Sequence, residues 1–332
     1  MKNLCLILLL LMATSGCYPQ NKSSESAFDV KQLLHLPWNS ADGLTYREGP
    51  GSNLGVTSFE VMGKGQVALL SNAGNEIILA DINKGMITKR FPVTYAPRDF
   101  AFDDDRFYVL TDFRVDVYDG DGQTLQTFGF PGSYVGVERI TRAEGSTYLL
   151  LPTGNSLLIE SQGRSVEPKV TEGWMTGEGA TVSLLTTGPF ICRVGLQQTD
   201  RTKHEETITT SKKIAGVFVA GASGSRVFLD VQTYVSENPI HVQRKIMILE
   251  MGEGKTGAQS IELIIPDVYY VLSNKDFSVP GDGILYQMIT APEGLFIFSL
   301  TGPNTGNGYP DFLLNKTYHF NDHLIKVDNH EH

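Results

Sequence analysis

Between Thr57 and Phe130 the chain says nearly the same thing twice. "TSFEVMGKGQVALLSNAGNEIILADINKGMITKRF" is followed by "RDFAFDDDRFYVLTDFRVDVYDGDGQTLQTF". Each copy holds four short apolar runs separated by turns rich in Gly, Asn or Asp. Phe59 and Phe100 occupy matching places, about 40 residues apart, and four short strands at that period make one blade of a β-propeller. Comparable starting points recur at Ile140, Val182, Phe218 and Phe277. The pattern is sharp up to about residue 150, blurs, and sharpens again in "FSVPGDGILYQMITAPEGLFIFSL", where Asp282 and Gly283 supply a tight turn. The expected fold is therefore all-β, with six four-stranded blades. A seventh blade, built from the two chain ends and "YPDFLLNKTYHF", is the alternative. "FDVKQLLHLPW" near the start is expected to be the strand that closes the ring, because an open sheet edge invites aggregation. No segment carries a sustained helical period with caps.

Residues 1–16 do not read as part of this domain. Lys2 precedes an apolar run from Leu4 to Met12, far shorter than the roughly 20 residues a spanning helix requires. Small residues then lead to Cys17. The expected division is a leader over 1–16, a lipidated Cys17 with a polar tether to residue 27, and a propeller over 28–332. The competing reading is an ordinary leader with Cys17 incidental. Lipidation makes the bilayer a partner, since each buried methylene contributes about 0.8 kcal/mol.

The net charge of −10 becomes more negative when Lys2 is lost, which argues against nucleic acid as a partner. Cys5 belongs to the leader and Cys17 to the anchor. Cys192 stands alone in the alternating run "GPFICRVGL" and reads as a core residue rather than a reactive thiol.

The stretches "PWNSADG", "TSFEVMGKGQVALLSNAGNEIILAD" and "APRDFAFDDDRFYVLTD" resemble the NHL-type six-bladed propellers of exported bacterial proteins, over roughly residues 36–150 and again over 274–300. Asn75, Glu76 and Ile77 match the family's closing element. The residues around Cys17 likewise resemble a bacterial lipoprotein box, and Tyr18 in place of Asp implies sorting to the outer membrane. The propeller resemblance implies a fold and a central channel, but not one activity.

Propeller ligands sit at a channel mouth, so the loops leading into the innermost strands are where binding chemistry is expected. Arg98 and Asp99 precede the second blade's inner strand, Glu138 and Arg139 the third's, Lys275 and Asp276 the sixth's. Thr57 and Ser58 hold the matching place in the first. Arg98, Glu138, Arg139 and Lys275 are the expected ligand-binding set, suited to a polar or zwitterionic glycan fragment or peptide. Their alternative is solvated loop charge.

Neither Asp103–Asp105 nor Asp119–Asp121 meets the loop spacing of a calcium site, and turn chemistry accounts for both. His319 and His323 lack the glutamate of a zinc-hydrolase motif. The carboxylate set of calcium-dependent lactonase propellers does not map onto the inner strands, and no catalytic residue or cofactor is expected. Trp38 and Trp174 are expected to cap blade interfaces, with sugar stacking the other option. The functional expectation is an outer-membrane-anchored binding or scaffold module for a glycan, peptide or partner protein at the cell envelope. The alternative is an envelope hydrolase or lyase working at the channel mouth.

Overall fold

The computed structural model describes residues 28–49, 52–63, 65–132, 134, 136–137, 139–251, 261–265, 270–303, 309 and 313. The leader, Cys17, the tether, Glu138 and the pair His319 and His323 lie outside the described residues. Among those described, twenty-four strands form six four-stranded antiparallel sheets. Blade one is built from β2 (Val56–Gly63), β3 (Gln66–Ser71), β4 (Glu76–Asp81) and β5 (Met86–Pro92) in that spatial order. Blades two to five repeat the scheme, with innermost strands β6 (Asp99–Asp103), β10 (Arg139–Ala143), β14 (Trp174–Met175) and β18 (Ile214–Ser223). Blade six takes β22 (Phe277–Ser278), β23 (Leu285–Ala291) and β24 (Gly294–Pro303) from the end of the chain. Its outermost strand is β1 (Phe28–Leu36), paired antiparallel with β24. The N-terminal strand thus closes the ring, as "FDVKQLLHL" suggested.

Alternation along each strand sends apolar side chains into the gaps between blades. Phe59, Leu69 and Ile78 of blade one meet Leu34, Met288 and Ile297 of blade six. On the other face, Leu70 and Ile77 meet Phe100, Phe107 and Val109 of blade two. Phe59 and Phe100 are wholly buried, and each such side chain stabilises the fold by about 1.5–3 kcal/mol. Similar clusters join blades two and three, four and five, and five and six. Cys192 is buried in the cluster between blades four and five, and burial pushes its thiol pKa up.

The turns follow their sequence chemistry. Asp104 and Asp105 adopt positive φ of 54° and 60° between the first two strands of blade two. The Asp119 carboxylate accepts the backbone N–H of Asp121 at 2.9 Å and of Gln123 at 2.8 Å. Both acidic clusters are therefore turn-forming. Gly122 has φ +81°, and a Cβ there would lie 2.6 Å from Cβ of Phe91, so the blade one–two contact admits only glycine.

Three expectations need correction. Val182 lies on the second strand of blade four, β15 (Thr181–Gly188), not on the inner one. The inner strand is the two-residue β14, too short to show an apolar run. Phe218 does lie on inner strand β18 but is 53 % exposed, while the adjacent Val219 and Ala220 are buried. The stretch weighed as a seventh blade instead contributes Tyr309 and Leu313 to the cluster between blades five and six.

Candidate functional site

Each sheet runs from the channel outward through four antiparallel strands, so all six inner strands point the same way. They begin at what we call the upper face and end at the lower face. A cavity of 510 Å³ occupies the channel, lined from the strand starts at Arg139 and Trp174 down to the turns at the lower face. Glu60 to Gly63, Ala101 to Asp103, Arg139 to Arg142 and Ala220 to Ala222 line it, with Trp174, Glu178 and the turn from Pro280 to Asp282.

Its walls carry charged groups that already have hydrogen-bond partners. The Lys275 ammonium donates to the Glu60 carboxylate and, at 3.1 Å, to the Phe100 carbonyl. The second Glu60 oxygen accepts the backbone N–H of Phe102 at 3.0 Å. Desolvation by burial holds the Glu60 carboxyl above the ordinary carboxylate range, with Lys275 working against it. Arg142 donates to Asp103 at 3.1 Å, to Thr147 at 2.8 Å and to the buried Glu160, with its guanidinium 4.2 Å from the Tyr108 ring centre. Glu178 accepts from the Ser223 hydroxyl at 2.8 Å and the Gly224 N–H at 2.6 Å. Asp282 accepts from Tyr286, whose phenol is pushed up to about 12 by burial and by that carboxylate.

Asp99, fully buried on β6, ties three blades together: Ser58 donates to one oxygen, and the Ile140 N–H to the other at 3.0 Å. Its role is structural, fixing the inner strands that hold the cavity walls.

Arg139 is different. Its guanidinium lies 5.2 Å from the Trp174 ring centre and donates to the Val219 carbonyl at 3.4 Å. Among the described residues no carboxylate pairs with it, yet it lines the cavity. A guanidinium over an indole, facing a cavity, offers a planar fork to a carboxylate and an aromatic face to the atoms beside it.

Of the four residues expected from sequence, Arg139 and Lys275 are brought to this cavity. Lys275 spends its charge on Glu60. Arg98 stands at the upper rim, where it pairs with Asp112 and donates to the Val137 carbonyl at 3.4 Å; its own carbonyl accepts from the Asn274 amide at 2.6 Å. Glu138 lies outside the described residues. Trp174 is half-buried on the cavity wall. Trp38 instead donates its indole N–H to the Ala291 carbonyl at 2.7 Å, beside Tyr46 and Tyr270. Glu60, Arg142, Glu178 and Asp282 were missed. Glu60 and Arg142 are charges inside inner strands, in "TSFEVMG" and "RITRA", where Phe59 and Ile140 carry the repeat.

No family model and no curated protein matches the chain. Solved structures are similar to it at low identity. Kuenenia stuttgartiensis hydrazine synthase is similar over 74 % of this chain and 76 % of its own, at 15 % identity and TM-score 0.49. A DUF4221 family member from Bacteroides vulgatus covers 82 % and 98 %, at 11 % identity and TM-score 0.47. Virginiamycin B lyase from Staphylococcus aureus covers 83 % and 99 %, at 14 % identity and TM-score 0.42. None of these similarities assigns a ligand or a reaction to this chain.

Proposed function

We propose that the protein is a lipid-anchored binding module of the bacterial cell envelope, held to the outer membrane through Cys17, of NHL type. Its lower channel mouth takes a small ligand that carries a carboxylate. The observation that carries this reading is Arg139: a cation stacked on Trp174, facing a 510 Å³ cavity, with no carboxylate partner among the described residues. The other cavity charges are already satisfied, so they shape and polarise the site, while Arg139 has bonding capacity left for a ligand. The ligand chemistry is a carboxylate next to a flat or apolar group. An acidic glycan fragment and a peptide C-terminus both present it.

The test is calorimetric titration with two sets of probes, uronic-acid oligosaccharides and short peptides with a free or an amidated C-terminus. A ligand from either set should lose about 1.5–3 kcal/mol on Arg139→Ala, the worth of a hydrogen bond to a charged group. That is roughly a ten- to hundredfold rise in Kd. Arg98→Ala, outside the cavity lining and paired with Asp112, should leave affinity unchanged. Equal loss in both variants, or loss only in Arg98→Ala, would move the site to the upper mouth.

One observation favours the second reading, an envelope hydrolase or lyase. Glu60 lines the cavity with its carboxyl pKa raised by burial, beside an ammonium. A carboxyl so tuned is fitted to general acid–base work. Turnover of any ligand that binds, abolished by Glu60→Gln with binding retained, would select that reading.

A further inference from the structure

The two faces of the ring differ in character. Of the large apolar side chains exposed among the described residues, all but Met86 and Leu125 stand at the upper face or on the half of their strand nearest it. Tyr95 is 84 % and Ile240 76 % exposed. Phe113, Phe190, Phe218 and Leu272 join them, so the apolar groups of this face come from several blades. A soluble domain seldom exposes so much apolar area on one side without a use for it. The lower face is set instead with polar turns, such as Asp103 to Asp105, Asp119 to Asp121 and Asp282.

We infer that the upper face is a docking surface for a partner protein that presents an apolar patch, separate from the cavity at the lower mouth. Two features select this occupant. First, the upper face sets carboxylates against its cations: Arg98 pairs with Asp112, Arg114 with Asp116 at 3.1 Å and Lys213 with Glu237 at 3.1 Å, and its loops carry Asp42, Glu48 and Glu172 alongside Arg47 and Lys212. No cationic excess is left for lipid headgroups or nucleic acid, whereas aromatic and aliphatic anchors among paired charges are the make-up of a protein interface. Second, the chain before the fold leaves from the opposite side. Phe28 pairs with Pro303, the last residue of β24, and β24 ends at the lower face. At about 3.3–3.6 Å per residue, the segment from Cys17 to Phe28 reaches at most roughly 40 Å. An anchor at Cys17 therefore holds the lower face toward the bilayer and turns the upper face to the aqueous compartment. This second feature alone uses the lipid-anchor reading; the composition of the face does not depend on it.

The experiment places the photo-reactive residue p-benzoylphenylalanine, one site at a time, at Phe113, Ile240 or Leu272 of the full chain in intact producing cells. Met86 and Leu125 serve as lower-face controls. The expected result is one protein adduct of the same mass from the upper positions and none from the controls. That protein, purified, should bind the wild-type chain and lose at least tenfold in affinity to the folded double variant Phe218→Asp/Ile240→Asp. Adducts of the chain with itself, adducts with lipid, equal yields from both faces, no adduct, or unchanged affinity in the double variant would each overturn the proposal. Repeating the upper-face crosslinks in Cys17→Ser separates the two readings: an adduct that persists after membrane release supports docking without the anchor.

Discussion

At the scale of single residues the molecule places charge where a repeat pattern alone predicts hydrocarbon. Glu60 follows the anchor Phe59 on an inner strand, and Arg142 follows Ile140 by two. Both were hidden because the same strands also carry the apolar residues that define the repeat. Lys275 was visible as a charge before a strand, but not its direction. Its side chain turns down the channel because Asn274 and Lys275 donate their backbone N–H groups to the Thr57 carbonyl, at 2.7 and 3.1 Å, which fixes the loop against blade one.

Glu60 makes this scale testable. Its folded pKa is raised above the ordinary 4.5. The folded state therefore holds the proton more tightly than the unfolded one, and this contribution to stability is fully present below pH 4.5. It is lost as pH rises from there through the folded pKa. Glu60→Gln does not titrate, so the stability of wild type relative to this variant should decline as pH rises from 4.5. Denaturation midpoints of the two proteins across pH 4–8 measure it. A relative stability that grows with pH would mean that attraction to Lys275 outweighs burial.

At the scale of elements the blades are unequal. Apolar clusters span five of the blade interfaces among the described residues. Between blades three and four the seam is more polar: the Met175 N–H donates to the Ser156 hydroxyl at 2.7 Å, and the Gly173 N–H to the side-chain amide oxygen of Asn155 at 3.2 Å. The inner strand here is only Trp174–Met175, flanked by Gly173 at φ +84° and Gly179 at φ +81°. This also explains why the repeat blurred in the middle of the sequence. A two-residue inner strand leaves no alternation to be read; blade six, whose β22 is equally short, is marked instead by its buried Phe277, whereas Trp174 of blade four is only half-buried. Blades one, two and six were legible because their strands carry buried Phe at matching positions. Few buried apolar contacts favour local opening. Amide hydrogen exchange should therefore be fastest, among inner strands, at Trp174 and Met175, and slowest in β2 and β6. Uniform protection across the ring would contradict this.

For the whole molecule, the ring sorts three tasks onto three places: closure at β1, a polar cavity at the lower mouth and an apolar upper face. The first was legible in the sequence. The second was legible in part through Arg139 and Lys275. The third was not, because hairpin tips such as Phe113 and Ile240 show their common face only once strand direction is known. Anchoring belongs to this scale. Cys17→Ser should move the protein from the membrane to the soluble fraction, and detergent-free fractionation reads it; full retention on membranes would refute the lipid anchor.

The cavity is tested most directly through its own indole. The chain has two tryptophans, so Trp38→Phe leaves Trp174 as the sole indole reporter. Titrating that variant with the uronic-acid or peptide probe found by calorimetry should change Trp174 emission saturably, with the calorimetric Kd. Adding Arg139→Ala should raise that Kd about tenfold or more. Binding heat with no change in Trp174 emission would contradict a site in the channel.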